Sequence, residues 1–152
     1  MEATAANQVR VKSDQKIVDE YAEAIAAGAI FPPLTVFAPK NSQRYLLADG
    51  FHRLAAALKL GRKTIGVDVK EGGVHEALHY ALSANVAHGM RRSVADRRNA
   101  VMLAFKDPHY DDLSLRGLSE VCRASHELVR KMKAEQNVAV NTDKVTPRPR
   151  KP

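Results

Sequence analysis

Residues 45–61, YLLADGFHRLAAALKLG, join an apolar strand to an alanine-rich helix through Asp49 and Gly50. Alanine and leucine favour helix after the glycine, and the short apolar run before it reads as extended chain. A strand that passes straight into a helix leaves the first-turn amides of Phe51, His52 and Arg53 without intrahelical acceptors, pointing out of the sheet edge. Such amides attract anions, and the helix dipole adds ~0.3–1 kcal/mol for a negative group there. Arg53 and His52 would add charge-assisted hydrogen bonds to phosphate oxygens, and Gly50 would let the backbone approach a ligand closely. The same spacing also suits an ordinary turn in which Asp49 caps the helix and Arg53 is solvated.

Upstream, Ser13 is placed to cap a helix whose apolar positions Ile17, Val18, Tyr21 and Ile25 recur at helical spacing, with Gly28 as its left-handed end. FPPLTVF (31–37) begins with prolines that cannot continue a helix. With Leu34, Val36 and Phe37 it reads as a strand paired with RYLLAD (44–49) across the turn-rich APKNSQ. Downstream, TIGVDVK (64–70) alternates Ile65, Val67 and Val69 as a half-buried strand. After EGG comes a helix with Val74, Ala77, Leu78, Ala81 and Leu82 inward, ending near Gly89. Ser93 opens another helix, with Asp96 completing a capping box and Val94, Val101 and Phe105 on one stripe.

The chain of 152 residues, 45% hydrophobic, suffices for one compact core with a small appendage. Its apolar stretches are short and interrupted by charge and its N-terminus has no signal-like core, so the expectation is a cytoplasmic protein with no membrane partner. A single cysteine, Cys122, forms no internal disulfide and no thiolate cage. A net charge of +7 points to a polyanion as partner. Arg91, Arg92, Arg97 and Arg98 bracket one helix start with only Asp96 among them. Four such cations on DNA phosphates would give a salt slope of roughly −3 to −4, whereas a solvated face would pair them with local carboxylates.

LSLRGLSEVCRASHELVRKMK (113–133) has a helix-turn-helix layout: Leu115, Leu118 and Val121 inward, a turn at 122–125, then Leu128, Val129 and Met132, with Ser125 capping the second helix. In that arrangement His126, Glu127 and Arg130, with Lys131 beside them, would face the DNA groove. Two packed helices without base reading fit the same pattern.

Two other motifs invite metal chemistry. His75, Glu76 and His79 spell H-E-x-x-H, a zinc-hydrolase signature, but the extended pattern wants a histidine where Asn85 stands, so no metal ligands are assigned. Asp49, Asp68 and Lys70 imitate the D…D-x-K spacing of Mg²⁺-dependent nucleases; the plain alternative is a strand whose Asp68 and Lys70 point outward.

The run LADGFHRLAAALKLG, a strand, and then ANVAHGMRRSVADRRNAV resemble the ParB-like, or ParB/sulfiredoxin, superfamily over roughly residues 7 to 133. The resemblance implies a phosphate pocket with Gly50, His52 and Arg53 on one wall and Asn85, His88, Arg91 and Arg92 on the other. Phe51 stands where sulfiredoxins carry their catalytic cysteine, so sulfiredoxin chemistry is not expected. Ala84 replaces the glutamate that precedes the asparagine in CTP-switching relatives, which argues against hydrolysis in that manner. Cys122, Ala124 and Ser125 match the helix-turn-helix unit of longer relatives, but Arg123 replaces its glycine, at a cost of about 1 kcal/mol if the turn needs positive φ.

These readings predict an α+β fold, a small mixed β-sheet flanked by helices and followed by a helical segment. The domains expected are 7–89 as the ParB/sulfiredoxin-like unit, 90–135 as the helical extension and 136–152 as a basic disordered arm. The nucleotide or phosphate site comprises Asp49, Gly50, Phe51, His52, Arg53, Asn85, His88, Arg91 and Arg92; DNA contacts come from Arg97, Arg98, His126, Arg130 and Lys131. The ligands expected are DNA and ATP or CTP, with Mg²⁺ as a further candidate, in plasmid, phage or chromosome maintenance or regulation. Alternatives are an Mg²⁺-dependent NTPase or DNase of the same fold, with catalytic residues unassigned, and a homodimeric or protein-partner module of a DNA transfer or partition machine.

Overall fold

The computed structural model describes residues 9–10, 14–84 and 91–142, with side chains through 139. Helix α1 (Gln15–Ala26) is capped by Asp14, whose carboxylate accepts from the Lys16 amide at 3.0 Å. Ser13, the expected cap, lies outside the described residues. Gly28, at φ +91°, ends the helix as expected, with its amide on Ile25 O and that of Ala29 on Ala24 O.

Pro32 and Pro33 lead into β1 (Leu34–Ala38), which pairs antiparallel with β2 (Leu46–Asp49) and parallel with β3 (Val67–Glu71), giving a mixed sheet of order β2-β1-β3. Strand alternation sends Leu34, Val36 and Leu47 to one face, against Phe51 and Leu54 of α2 (Phe51–Lys59). Phe37 and Ala48 go to the other, against Ala77 and Tyr80 of α3 (Val74–Ser83). Leu34, Val36 and Leu47 are almost fully buried, each contributing about 1.5–3 kcal/mol by transfer from water. On the far side of α2, Ala56 packs on Val18, Ala22 and Ile25 of α1. The layers therefore run α1, α2, sheet, α3.

The opposite side of α3 belongs to a second core. Its Leu78, Ala81 and Leu82 meet Ala100, Val101 and Ala104 of α4 (Val94–Phe105), Leu118 and Cys122 of α5 (Leu115–Cys122), and Val129 and Met132 of α6 (His126–Thr142). A 3-10 turn, Pro108–Tyr110, links α4 to α5. Because one helix serves both cores, the helical extension is built onto the sheet unit rather than tethered to it. Among the described residues no helix is long and apolar enough to cross a membrane.

Several local expectations need correction. Helix α3 stops at Ser83, with Ala84 extended, rather than near Gly89. Val94 is 64% exposed, since the buried face of α4 is made by Asp96, Ala100, Val101 and Ala104. Val69 is 49% exposed because β3 is an edge strand with a single partner. Helix α6 continues to Thr142, through 136–142, which the sequence reading assigned to the arm.

Candidate functional site

Gly50 adopts φ +100°, ψ 22°, and a Cβ there would lie 2.4 Å from Leu34 Cδ2, so a side chain would be strained by the backbone and would displace Leu34. The first helical bond, Leu54 N to Gly50 O at 2.9 Å, leaves the amides of Phe51, His52 and Arg53 without intrahelical acceptors, as the anion reading requires. The side chains around them behave differently. Asp49 does not cap the helix; it accepts from Arg53 Nη2 at 2.9 Å. Arg53 Nη1 donates to Pro32 O and, at 3.1 Å, to Pro33 O. The guanidinium expected to reach for phosphate is instead latched to the entry of β1, where proline carbonyls and a carboxylate supply acceptors. Phe51 packs into the sheet core.

His52 is also engaged: its Nε2 accepts from Asp14 N at 3.3 Å, tying the start of α2 to the start of α1. Burial pushes its pKa down and Arg10 adds to this, while Asp14 and Asp96 oppose it, so the ring is held neutral as an acceptor.

Of the second wall, Asn85 and His88 lie outside the described residues. Arg91 is exposed. Arg92 corrects the sequence reading. Its Nη2 donates to Ala81 O, Leu82 O and Ala84 O at 2.9, 2.6 and 3.3 Å, and its Nη1 to Cys122 O at 3.1 Å. It closes the ends of α3 and α5, where carbonyls lack helical partners and the dipoles favour a cation. Burial pushes its pKa down, and Arg10 adds to this.

Tyr80, near the end of α3, receives the Thr35 hydroxyl at 3.4 Å, and Thr35 pairs with Asp49, so α3 ends toward the Gly50 turn. His52 and Arg92 both feel the charges of Arg10 and Asp96, which pair at 3.8 Å. The chain at Val9 is held on α4 by Asn99 Nδ2 donating to Val9 O at 2.9 Å. Arg10, whose charge acts on both His52 and Arg92, is a residue the sequence reading missed; one arginine in a polar stretch carries no motif.

Around α4, Ser93 and Asp96 form the expected capping box. Arg97 Nε reaches Ser93 O at 3.5 Å, at the start of its own helix, and Arg98 bridges to Glu135 of α6 at 3.2 Å, so Arg98 braces α4 on α6. Helices α5 and α6 are joined by Arg123, Ala124 and Ser125. Ser125 Oγ accepts from Leu128 N at 3.2 Å, as expected of a cap, and Ser119 Oγ donates to Ala124 O at 2.6 Å across the turn. Arg123 sits at φ 51°, ψ 43°. At the start of α6, His126, Arg130 and Lys131 are exposed, and Arg130 pairs with Glu127 at 2.8 Å.

The H-E-x-x-H motif does not assemble as a hydrolytic pair. Glu76 accepts from Gly73 N at 2.7 Å as a helix cap, His75 Nδ1 faces Asp107 and His79 Nδ1 faces Tyr110. Burial pushes the Tyr110 hydroxyl up to about 12, so it keeps its proton and donates to His79. The D…D-x-K pattern is dispersed: Asp49 bonds on the α2 side of the sheet, while Lys70 lies 6.0 Å from the Tyr80 ring centre on the α3 side, paired with Asp68 at 3.4 Å. The irregularity between Thr35 and Val36 in the β1–β2 pairing puts Thr35 and Asp49 on opposite faces.

The chain is 36% identical over 81 residues to a "Streptomycin biosynthesis operon possible regulatory protein" of Streptomyces griseus, covering 53% of this chain but only 22% of that protein. The C-terminally truncated chromosome-partitioning protein ParB from Caulobacter crescentus is similar in structure. Its form complexed to the centromeric parS site gives a TM-score of 0.50 at 15% identity, covering 85% of this chain and 64% of that one. Its form complexed with CTP-gamma-S gives 0.49 at 16% identity, covering 84% and 69%. At such identities the likeness is one of fold. The family model of the ParB N-terminal domain matches residues 3–86, more than half of the sequence, and the chain belongs to that family.

Proposed function

We propose that this protein binds DNA in plasmid, phage or chromosome maintenance or in gene regulation, with the start of α6 as its principal DNA-facing surface. The observation that carries the reading is the α5–turn–α6 unit, whose second helix begins with exposed His126, Arg130 and Lys131. A helix start attracts phosphate through its amides and dipole, and side chains of its first turns reach base edges. The Arg130–Glu127 pair is exposed, so Arg130 can exchange that carboxylate for a DNA phosphate. Family membership and a net charge of +7 support the same reading.

The Gly50 turn supports a second, linked activity. Its amides, with exposed Arg91 from the expected second wall, suit a phosphoryl group of CTP or ATP. With Arg53 and His52 engaged by protein groups, backbone amides would carry most of that binding.

Fluorescence anisotropy with duplex DNA across a salt series tests the first activity. The expected result is tight binding at low salt, with the combined Arg130→Ala and Lys131→Ala change reducing the salt slope by roughly 2. An unchanged slope would remove α6 from the interface. Calorimetric titration with CTP and ATP, with and without Mg²⁺, tests the second; heat from neither nucleotide would overturn it.

A further inference from the structure

Three side chains that no sequence motif connects meet where the two cores adjoin. His75 comes from the first turn of α3, and Asp107 and His109 from the 3-10 turn after α4. Nδ1 of His75 lies 2.7 Å from Asp107 Oδ2, and Nδ1 of His109 lies 2.8 Å from Oδ1 of the same carboxylate. The two imidazoles stack with centroids 4.0 Å apart and planes inclined by 20°, so both present the same ring edge to Asp107. One ligand atom from each of the three residues lies within 4.8 Å of the other two.

The cluster is held from several sides. The Asp107 side chain is 11% exposed, and its Oδ1 also accepts from His109 N at 3.1 Å, which fixes the turn. Burial by itself would raise the Asp107 pKa, but hydrogen bonds from His75, then His109, take it below the usual carboxylate range. The ring of Tyr110 lies 5.1 Å from that of His75 and walls the inner side. The outer side is open, with His109 64% exposed and His75 25%.

We propose that His75, Asp107 and His109 form a site for a divalent transition-metal ion of the Zn²⁺ class. Two imidazole nitrogens and one carboxylate oxygen, with a fourth position open to water, suit zinc; Mg²⁺ and Ca²⁺ demand oxygen donors. Ligand atoms around four-coordinate zinc stand about 3.3 Å apart, given bonds of ~2.0–2.1 Å, so the cluster must contract by roughly 1.5 Å at its widest. The exposed His109, on a short turn, supplies that movement. An ion held there would replace two nitrogen–oxygen hydrogen bonds with three metal bonds and pin α3 to the chain leaving α4. Since α3 serves both cores, the ion would stiffen the sheet unit against the helical unit that carries α6. The motif residue His75 is used, but with partners 32 and 34 residues away instead of with His79.

The test uses the untagged full chain, stripped with EDTA and titrated with Zn²⁺ and with Co²⁺. Expected are one equivalent of Zn²⁺ bound, a raised melting temperature, no such rise with Mg²⁺, and visible Co²⁺ absorption bands of low-symmetry coordination that Zn²⁺ abolishes. His109→Ala, at an exposed position, should keep the fold and lose at least tenfold in Zn²⁺ affinity together with the Co²⁺ bands. Asp107→Asn should lose the bands while its amide oxygen still receives His109 N. Glu120→Gln, at an exposed carboxylate outside the cluster, should leave the Zn²⁺ affinity and the Co²⁺ bands unaltered. Zn²⁺ binding that survives His109→Ala unaltered, or no Zn²⁺ binding to the parent chain, would overturn the proposal.

Discussion

Arg92 Nη2 stands 2.6 Å from Leu82 O, in the last turn of α3, and its other bonds reach Ala81, Ala84 and Cys122. One guanidinium thus satisfies carbonyls at the ends of two helices from different parts of the chain. Arg92→Ala should cost about 2–4 kcal/mol, because partly buried carbonyls lose charged donors, and Arg92→Lys should recover only part of it. Urea denaturation measures this. In DNA titrations of the folded variant the salt slope should be unchanged; a slope reduced by about 1 would mean that Arg92 contacts phosphate after all.

Gly50→Ala places a methyl group against Leu34 Cδ2 at 2.4 Å while keeping a backbone at φ +100°. Strain and overpacking together should lower stability by about 2–4 kcal/mol. A thermal melt within a degree or two of the parent would show that the turn can relax.

At the α5–α6 turn the opposite change helps. Arg123 holds φ 51° without a glycine, and its side chain is exposed. Arg123→Gly should therefore stabilise the protein by up to about 1 kcal/mol, net of the extra freedom glycine gives the unfolded chain. A denaturation midpoint that moves to lower urea would contradict this.

His52 makes stability depend on pH. Burial, with Arg10, holds its folded pKa below the ordinary value of 6.5, so as pH falls the unfolded chain takes up the proton first. The stability present above about pH 6.5 is lost as pH falls through the folded value. Urea midpoints from pH 7.5 to 5 should decline more steeply in the parent than in His52→Gln, which keeps an acceptor for Asp14 N but does not titrate. Equal slopes would exclude His52 as a source of the decline.

Much of the chain was legible residue by residue. Gly28 ends α1, Ser93 with Asp96 opens α4, Ser125 caps α6, and Gly50 turns β2 into α2, because each of these depends on atoms within four residues along the chain. The pairing of β1 with β2 followed from two short apolar runs and the turn chemistry between them. Val94 and Val69 were misplaced, since a periodic apolar residue is buried only where a neighbouring element covers it.

What the amino-acid order determined by itself was the set of local elements, the caps of α4 and α6, and a strand-to-helix turn whose first amides lack intrahelical acceptors. The tertiary structure alone decided the fate of the long cationic side chains and of the histidines. Arg53 turned to Pro32 and Pro33, Arg92 to Leu82 and Cys122, Arg98 to Glu135, and His75 to Asp107. A flexible charged side chain settles on whichever acceptors the packed backbone brings within reach. Those acceptors lie 10 to 37 residues away in sequence, beyond the span of any local pattern.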